Sequence, residues 1–119
     1  MAGPGPTYAN QALDAGTGAL PGTPVNVLAY VNLNIADPGT TGASEATSTR
    51  QACTWNNAAS RAKTNSSALT FTPSAGVANT YFSTWSAVSA GTFGISGALG
   101  SSVTAATVTV ASGALSLSA

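Results

Sequence analysis

The chain has 119 residues, which is the size of one domain, and carries three basic and three acidic residues, one cysteine and no histidine. Charged residues make up 5% of the sequence, against roughly 25% in an ordinary globular protein. These counts argue against nucleic-acid and anionic-membrane partners, which need clustered cations. They also argue against histidine-dependent nucleophiles, histidine-ligated or cysteine-rich metal sites and internal disulfides.

Residues 1–24 are predicted to form an N-terminal arm, built from proline-containing turns around a stretch that could make about two helical turns. The residues after Met1 lack the basic and apolar regions of a signal peptide, so synthesis in the host cytoplasm is expected. The longest apolar run, residues 27–31, is far too short to span a membrane. Within the arm, Tyr8, Pro21 and Pro24 are predicted to contact a neighbouring subunit.

The first strand is predicted over residues 25–35, where apolar side chains occupy every second position. This alternation is typical of a strand with one apolar face. The sequence Asp37-Pro38-Gly39 follows the strand and predicts a type II turn, because proline presets φ and glycine accepts a positive φ. Residues 39–49 are expected to form a polar loop.

Six further strands are predicted, at residues 50–55, 67–72, 77–86, 92–96, 103–110 and 115–118. Seven short strands, with turns about every ten residues and no convincing long helix, predict an all-β antiparallel sandwich or flattened barrel over residues 25–119. Edge strands normally carry protective charges, which are almost absent here. We therefore expect the edges to pair with a neighbouring subunit or to lie under the N-terminal arm.

Small residues dominate the composition, since Ala, Thr, Ser and Gly account for 69 of the 119 residues. A domain of this length buries only about two-thirds of its unfolded surface, so a core with few large side chains is marginal on its own. An uncharged surface is also poorly protected against association. The composition therefore favours a protein that works inside an assembly, and we expect no enzymatic activity and no small-molecule substrate.

Asp37 and Glu45 flank the polar loop, and oxygen-bearing side chains lie between them. Two carboxylates without the regular spacing of a calcium loop are a poor match to a metal site, so no metal or cofactor is predicted. The favoured interpretation is that Asp37 caps the turn and that Glu45 is a surface residue. Glu45 is predicted to pair with Arg50, which would contribute about half a kcal/mol.

The two tryptophans, Trp55 and Trp85, have the shape for stacking on sugar rings, which would suit a module that binds host-surface glycans. Sugar sites also need converging charged side chains, and the chain has few to offer. Packing in the core or at a subunit interface is therefore the favoured interpretation of both tryptophans. The single cysteine, Cys53, is predicted to be a small buried apolar residue within a strand.

Residues 33–45 (LNIADPGTTGASE) and 50–55 (RQACTW) resemble small virion proteins of phages that infect actinobacteria. In that family, a Leu-x-x-Ala-Asp-Pro-Gly-x-x-Gly-Ala-x-Glu stretch precedes an Arg-Gln-Ala-x-Thr-Trp strand. Later segments, from Phe71 onward, at 85–87 and at 91–93, are also similar, so the resemblance spans about residues 25–119. The chain departs from the family near Asn34, where histidine is common, and at 47–49, where Gly-Tyr-Ala is common.

The resemblance implies a phage virion structural protein, because members of the family are labelled capsid decoration, minor capsid or minor tail proteins. The function predicted first is a decoration protein that cements the outside of the head shell. Its expected partners are the major capsid protein and copies of itself, arranged as a homotrimer. The alternatives are a minor tail, tail-tip or fibre protein, and a glycan-binding module built on Trp55 and Trp85.

Overall fold

The computed structural model describes residues 5–6, 28–57, 62–74 and 76–118. Eight strands are described: β1 (Tyr30–Asn34), β2 (Gln51–Ala52), β3 (Ala62–Thr64), β4 (Leu69–Phe71), β5 (Asn79–Trp85), β6 (Phe93–Val103), β7 (Val108–Val110) and β8 (Ser116–Ser118). Most of the predicted arm, including Tyr8, Pro21 and Pro24, lies outside the described residues, as do residues 25–27 of the first predicted strand.

The strands form one larger sheet and two smaller ones, and all their pairings are antiparallel. The larger sheet has the order β2-β1-β5-β6, while β3 pairs with β8 and β4 pairs with β7. The all-β antiparallel sandwich predicted from the sequence is therefore confirmed.

The larger sheet is buried on both faces in its central part, and the two faces differ in chemistry. Alternation along β1 places Val31 and Leu33 on the apolar face, where both are fully buried. The residues of this core cluster come from four strands and two connecting segments: Val31, Leu33, Cys53, Leu69, Phe71, Phe82, Val108, Val110 and Leu115.

The opposite face of β1 is also buried, but its side chains are polar: Asn32 and Asn34 are 2% and 0% exposed. The period-two pattern thus predicts the direction of each side chain in β1, whereas the burial of its asparagines depends on other segments. Ile35 was predicted to continue the strand, but the strand ends at Asn34 and Ile35 is 45% exposed.

Two other predicted strands have clearly different bounds in the structure, and one strand was not predicted. The strand predicted at 92–96 continues to Val103 as β6, and its pairing with β5 is interrupted by two bulges. The strand predicted at 103–110 begins only at Val108, because residues 104–107 leave the sheet and are exposed. Strand β3 was not predicted, because its three residues carry no alternating apolar pattern and it forms by pairing with β8, far along the chain.

Asn65, just after β3, connects the smaller sheets to the turn that precedes β8. Its side chain is fully buried. The amide nitrogen Nδ2 donates to the carbonyl oxygens of Ser67 and Ala111, at 2.9 and 3.0 Å. The amide oxygen Oδ1 accepts from the backbone N–H of Leu115 at 2.9 Å. One side chain therefore satisfies three backbone groups, one of them two residues along the chain and two in the distant β7–β8 connection.

Cys53 follows β2 directly and is 5% exposed within the core cluster. Its backbone N–H donates to the carbonyl of Ala29 at 2.7 Å. Burial raises the pKa of its thiol to about 11, so the thiol is neutral under ordinary conditions. The cysteine accordingly packs as a small apolar residue.

Candidate functional site

The polar face of the larger sheet carries the most extensively bonded side chains among the described residues, and they centre on Arg50. We define the Arg50 cluster as Asn32, Glu45, Ser48, Arg50 and Trp85. Arg50 Nε donates to Glu45 Oε2 at 3.0 Å and Nη2 donates to Oε1 at 2.8 Å, which makes a two-pronged ion pair. The Arg50 side chain is 9% exposed and that of Glu45 is 27% exposed. The pair predicted from the sequence is thus present, but it lies largely inside the fold.

The remaining contacts of Arg50 tie the ion pair to the β5–β6 turn. Arg50 Nη1 donates to the carbonyl oxygens of Ala87 and Ala90, at 3.0 and 2.7 Å. The guanidinium also lies 3.7 Å from the centroid of the Trp85 ring, an arrangement in which the cation is attracted to the π face. A single side chain therefore joins the loop before β2, strand β5 and the turn that follows it.

Glu45 is held in its charged form by the same contacts. Burial acts to raise the pKa of its carboxyl, but hydrogen bonds from Arg50 and Asn32 and the positive charge of Arg50 outweigh that effect. The pKa of Glu45 consequently lies below its usual value. The Asn32 contribution is a 2.8 Å bond from Nδ2 to Glu45 Oε2.

Hydrogen bonds continue from this cluster across the polar face. Asn32 Oδ1 accepts from Ser48 Oγ at 2.6 Å, and Asn34 Oδ1 accepts from Ser83 Oγ at 2.7 Å. Trp85 Nε1 in turn donates to Ser83 Oγ at 2.8 Å. Buried polar groups need such partners because an unpaired one costs about 1–3 kcal/mol. These bonds explain how two asparagines occupy the interior of a sandwich.

Two strained backbone positions adjoin the Arg50 cluster. Ser44 and Ala90 have φ values of 65° and 54°, in the left-handed region that non-glycine residues rarely adopt. The carbonyl of Ala90 accepts from Arg50, while Ser44 precedes Glu45 and its carbonyl accepts from the backbone N–H of Ile35 at 3.0 Å. Each such conformation costs about 1–3 kcal/mol, so the surrounding bonds must hold it in place.

In the Asp37-Pro38-Gly39 segment, the glycine has the positive φ that the sequence predicts. Gly39 has a φ of 62°, and its N–H donates to Asp37 Oδ1 at 2.9 Å. The carbonyl of Pro38 accepts from the N–H groups of Gly42 and Ala43, both at 3.2 Å, so a second turn follows at once. These turns bring Gly42 onto the Trp85 ring.

Gly42→Ala should destabilise the protein by about 2–4 kcal/mol. Gly42 has a φ of 77°, and a Cβ there would lie 2.6 Å from Cη2 of Trp85. Left-handed strain and overpacking therefore act together. Gly39→Ala is the matched control, because its φ is also positive but nothing lies within 4 Å, so it should cost only about 1 kcal/mol. Urea denaturation of both variants tests this, and equal losses would show that the contact with Trp85 has no effect.

The two tryptophans occupy different places. Trp85 is 8% exposed, beneath Arg50 and beside Phe93, whose ring centroid is 5.4 Å away. Trp55 is partly buried against the core cluster and donates from Nε1 to the carbonyl of Leu28 at 3.1 Å. The Trp85 ring is thus packed within its own chain, which leaves little of it for a sugar or for a neighbouring subunit. Trp55 retains some exposed surface for a partner.

A shallow cleft of about 270 Å³ lies beside the Arg50 cluster. At one side of it, Gly5 is buried, and its N–H donates to the carbonyl of Gly94 in β6 at 2.6 Å. None of the residues that line the cleft has an ionisable side chain; they are Gly5, Pro6, Thr40, Thr41, Gly91, Thr92 and Phe93. The cleft offers hydroxyl and backbone groups but no acid or base.

The structure offers little for metal binding or acid–base chemistry in the described part of the chain. No group of three or more His, Cys, Asp or Glu residues is placed there to hold a metal ion. Glu45 and Asp37 were considered from the sequence as a poor match to a calcium site. Both carboxylate oxygens of Glu45 accept hydrogen bonds from Arg50 or Asn32. Among the described residues, no helix is long and apolar enough to cross a membrane.

In the described part of the chain, the structure is a β-sandwich in which the Glu45–Arg50 pair joins the protein's own loops. Comparison with known families identifies the class of protein. The family model described as podophage GP4 fiber I protein gp80 matches residues 6–118, nearly the whole chain. The chain therefore belongs to this family of phage fibre proteins, whereas no curated protein matches it.

Family membership makes the chain a phage virion structural protein, and the sequence prediction is confirmed at that level. The matching family is described by a podophage fibre protein, so the link to actinobacterial phages gains no support from it. The predicted position on the head shell gains no support from this match either.

Proposed function

We propose that the protein is a structural subunit of a phage fibre, which works by binding other protein chains and catalyses no reaction. The observation that supports this proposal is the match of residues 6–118 to a phage fibre family. From the sequence, capsid decoration is the function predicted first, and a fibre protein is an alternative. The family match favours the fibre assignment over the head surface.

The distribution of charge supports a role in assembly. Glu45 and Arg50 neutralise each other inside the fold, which leaves Asp37 and Lys63 as the other charged residues in the described part of the chain. Short, uncharged side chains lose little conformational entropy when a partner covers them. A surface of this kind also presents little charge repulsion to a neighbouring subunit. Copies of the chain and a second virion protein are the partners that this proposal requires.

The trimeric arrangement and the contacts of Tyr8, Pro21, Pro24 and Trp55 remain predictions. Capsid decoration remains the competing function, because the resemblance of residues 33–55 is to proteins that include decoration proteins. The two functions differ in where the protein lies on the particle and in how many copies are present.

Purified particles should carry the protein in a few copies, located at the tail. Quantitative mass spectrometry against the major capsid protein measures the copy number, and antibody labelling in electron micrographs shows the position. A copy number comparable to that of the major capsid protein, with label spread over the head, would overturn the fibre proposal and favour decoration.

A further inference from the structure

Very few groups in this chain can take up a proton between pH 7 and pH 2. The sequence has no histidine and three side-chain carboxylates, which are Asp14, Asp37 and Glu45, in addition to the terminal carboxyl. Asp37 lies in the turn after β1, and Asp14 lies outside the described residues. Glu45 is the described carboxylate that belongs to the polar interior.

Glu45 links several segments through its two oxygens. Its partners are Asn32 in β1 and Arg50, the residue before β2. Arg50 in turn stacks on Trp85 of β5. The β5–β6 turn contributes the backbone carbonyls of Ala87 and Ala90. Arg50 is the one ionisable group among these contacts.

The opposite face of the sheet does not depend on this charge. Its core cluster consists of aliphatic and aromatic side chains and the neutral thiol of Cys53, so it contains no group that titrates in acid. We propose that the Arg50 cluster is an acid-labile latch: when Glu45 takes up a proton, residues 36–50 and 86–92 separate from Trp85 while the apolar core remains folded. This inference goes beyond the proposed function and does not depend on it.

The physical basis is the loss of the counter-charge to a buried guanidinium. Protonated Glu45 cannot balance the charge of Arg50, and an unpaired buried charge is strongly unfavourable, so water must reach it. The direction follows from the lowered pKa of Glu45. The stabilisation is complete at neutral pH and is lost as the pH falls through the value of the folded protein.

Fluorescence of Trp85 measures the opening directly. In Trp55→Phe, Trp85 is the remaining tryptophan, and acrylamide quenching reports its access to solvent. From pH 7 to pH 2 we expect quenching to rise in a single one-proton step, with its midpoint below the usual glutamate value. Far-UV circular dichroism should keep its β-sheet signal through that step. Loss of the β-sheet signal at the same midpoint would mean global unfolding, and the absence of a step would mean that no latch exists.

Substitutions then assign the step to one carboxyl group. In the Trp55→Phe background, Glu45→Gln removes the charge at nearly constant shape, so Trp85 should be accessible at pH 7 and its quenching independent of pH. Asp37→Asn and Asp14→Asn are the matched controls, and both should retain the step. A step that persists in Glu45→Gln, or disappears in either control, would overturn the proposal.

Amide hydrogen exchange provides a test that needs no substitution, in case Glu45→Gln fails to fold. After correction for the intrinsic pH dependence of exchange, the N–H groups of Ala46 and Thr92 should lose protection in acid, because they lie in the segments that separate. Those of β4 and β7 should remain protected. Simultaneous loss in both regions would contradict local opening.

Discussion

Arg50→Met should lower the free energy of unfolding by about 3 kcal/mol, with the urea midpoint falling accordingly. Methionine roughly preserves the volume of the side chain but removes the charge and the four hydrogen bonds described above. Glu45 would then hold a partly buried negative charge without a counter-ion. The carbonyls of Ala87 and Ala90 would lose their donor, and one face of Trp85 would lose its cover.

Two further variants separate the buried pair from the mere loss of a cation. Lys63→Met removes an exposed charge from β3 and should change stability by less than about 0.5 kcal/mol. Adding Glu45→Gln to Arg50→Met removes the stranded carboxylate and should recover part of the loss. An Arg50→Met protein as stable as Lys63→Met would show that the cluster contributes nothing.

Two of the six charged residues in the sequence, Arg50 and Glu45, lie largely inside the fold. The sequence predicted that Glu45, in the polar loop, pairs with Arg50, at the start of the following strand, and it predicted a surface bond of little consequence. It held no signal for the stacking of Arg50 on Trp85, because the two residues are separated by 35 positions and meet only when β1 pairs with both β2 and β5. Because this pair is largely buried, the described surface carries even less charge than the residue counts suggest.

Local patterns predicted the features that depend on local geometry. The alternation before Asn34 predicts a strand, and the glycine of Asp37-Pro38-Gly39 has its positive φ, because each depends on near neighbours. The burial of the asparagines could not be predicted from the sequence, since asparagine is usually exposed and its burial depends on partners elsewhere. The bond between Asn65 and Leu115 joins residues 50 positions apart. Strand β3 was missed for the same reason, because its pairing partner is β8.

Asn65→Ala should destabilise the protein by about 3–5 kcal/mol, because it leaves the carbonyls of Ser67 and Ala111 and the N–H of Leu115 without their buried partner. Asn56→Ala is the matched control. Asn56 is exposed and its main side-chain bond, to Thr64 Oγ1 at 3.0 Å, can be replaced by water, so the loss should stay below about 1 kcal/mol. Equal urea midpoints for the two variants would contradict the role assigned to Asn65.

Asn65→Asp refines this prediction, because it keeps the shape of the side chain and the acceptor for Leu115. The new carboxylate would face the carbonyl oxygens of Ser67 and Ala111, which it cannot bond while ionised. Its pKa in the folded protein should therefore be raised, and stability should increase as the pH falls and the aspartic acid regains a proton to donate. This response is opposite in sign to the acid opening expected at Glu45. A urea midpoint for Asn65→Asp that rises from pH 7 to pH 5, where Glu45 is still ionised, would show that hydrogen-bond donation by residue 65 holds the sheets and the β7–β8 turn together.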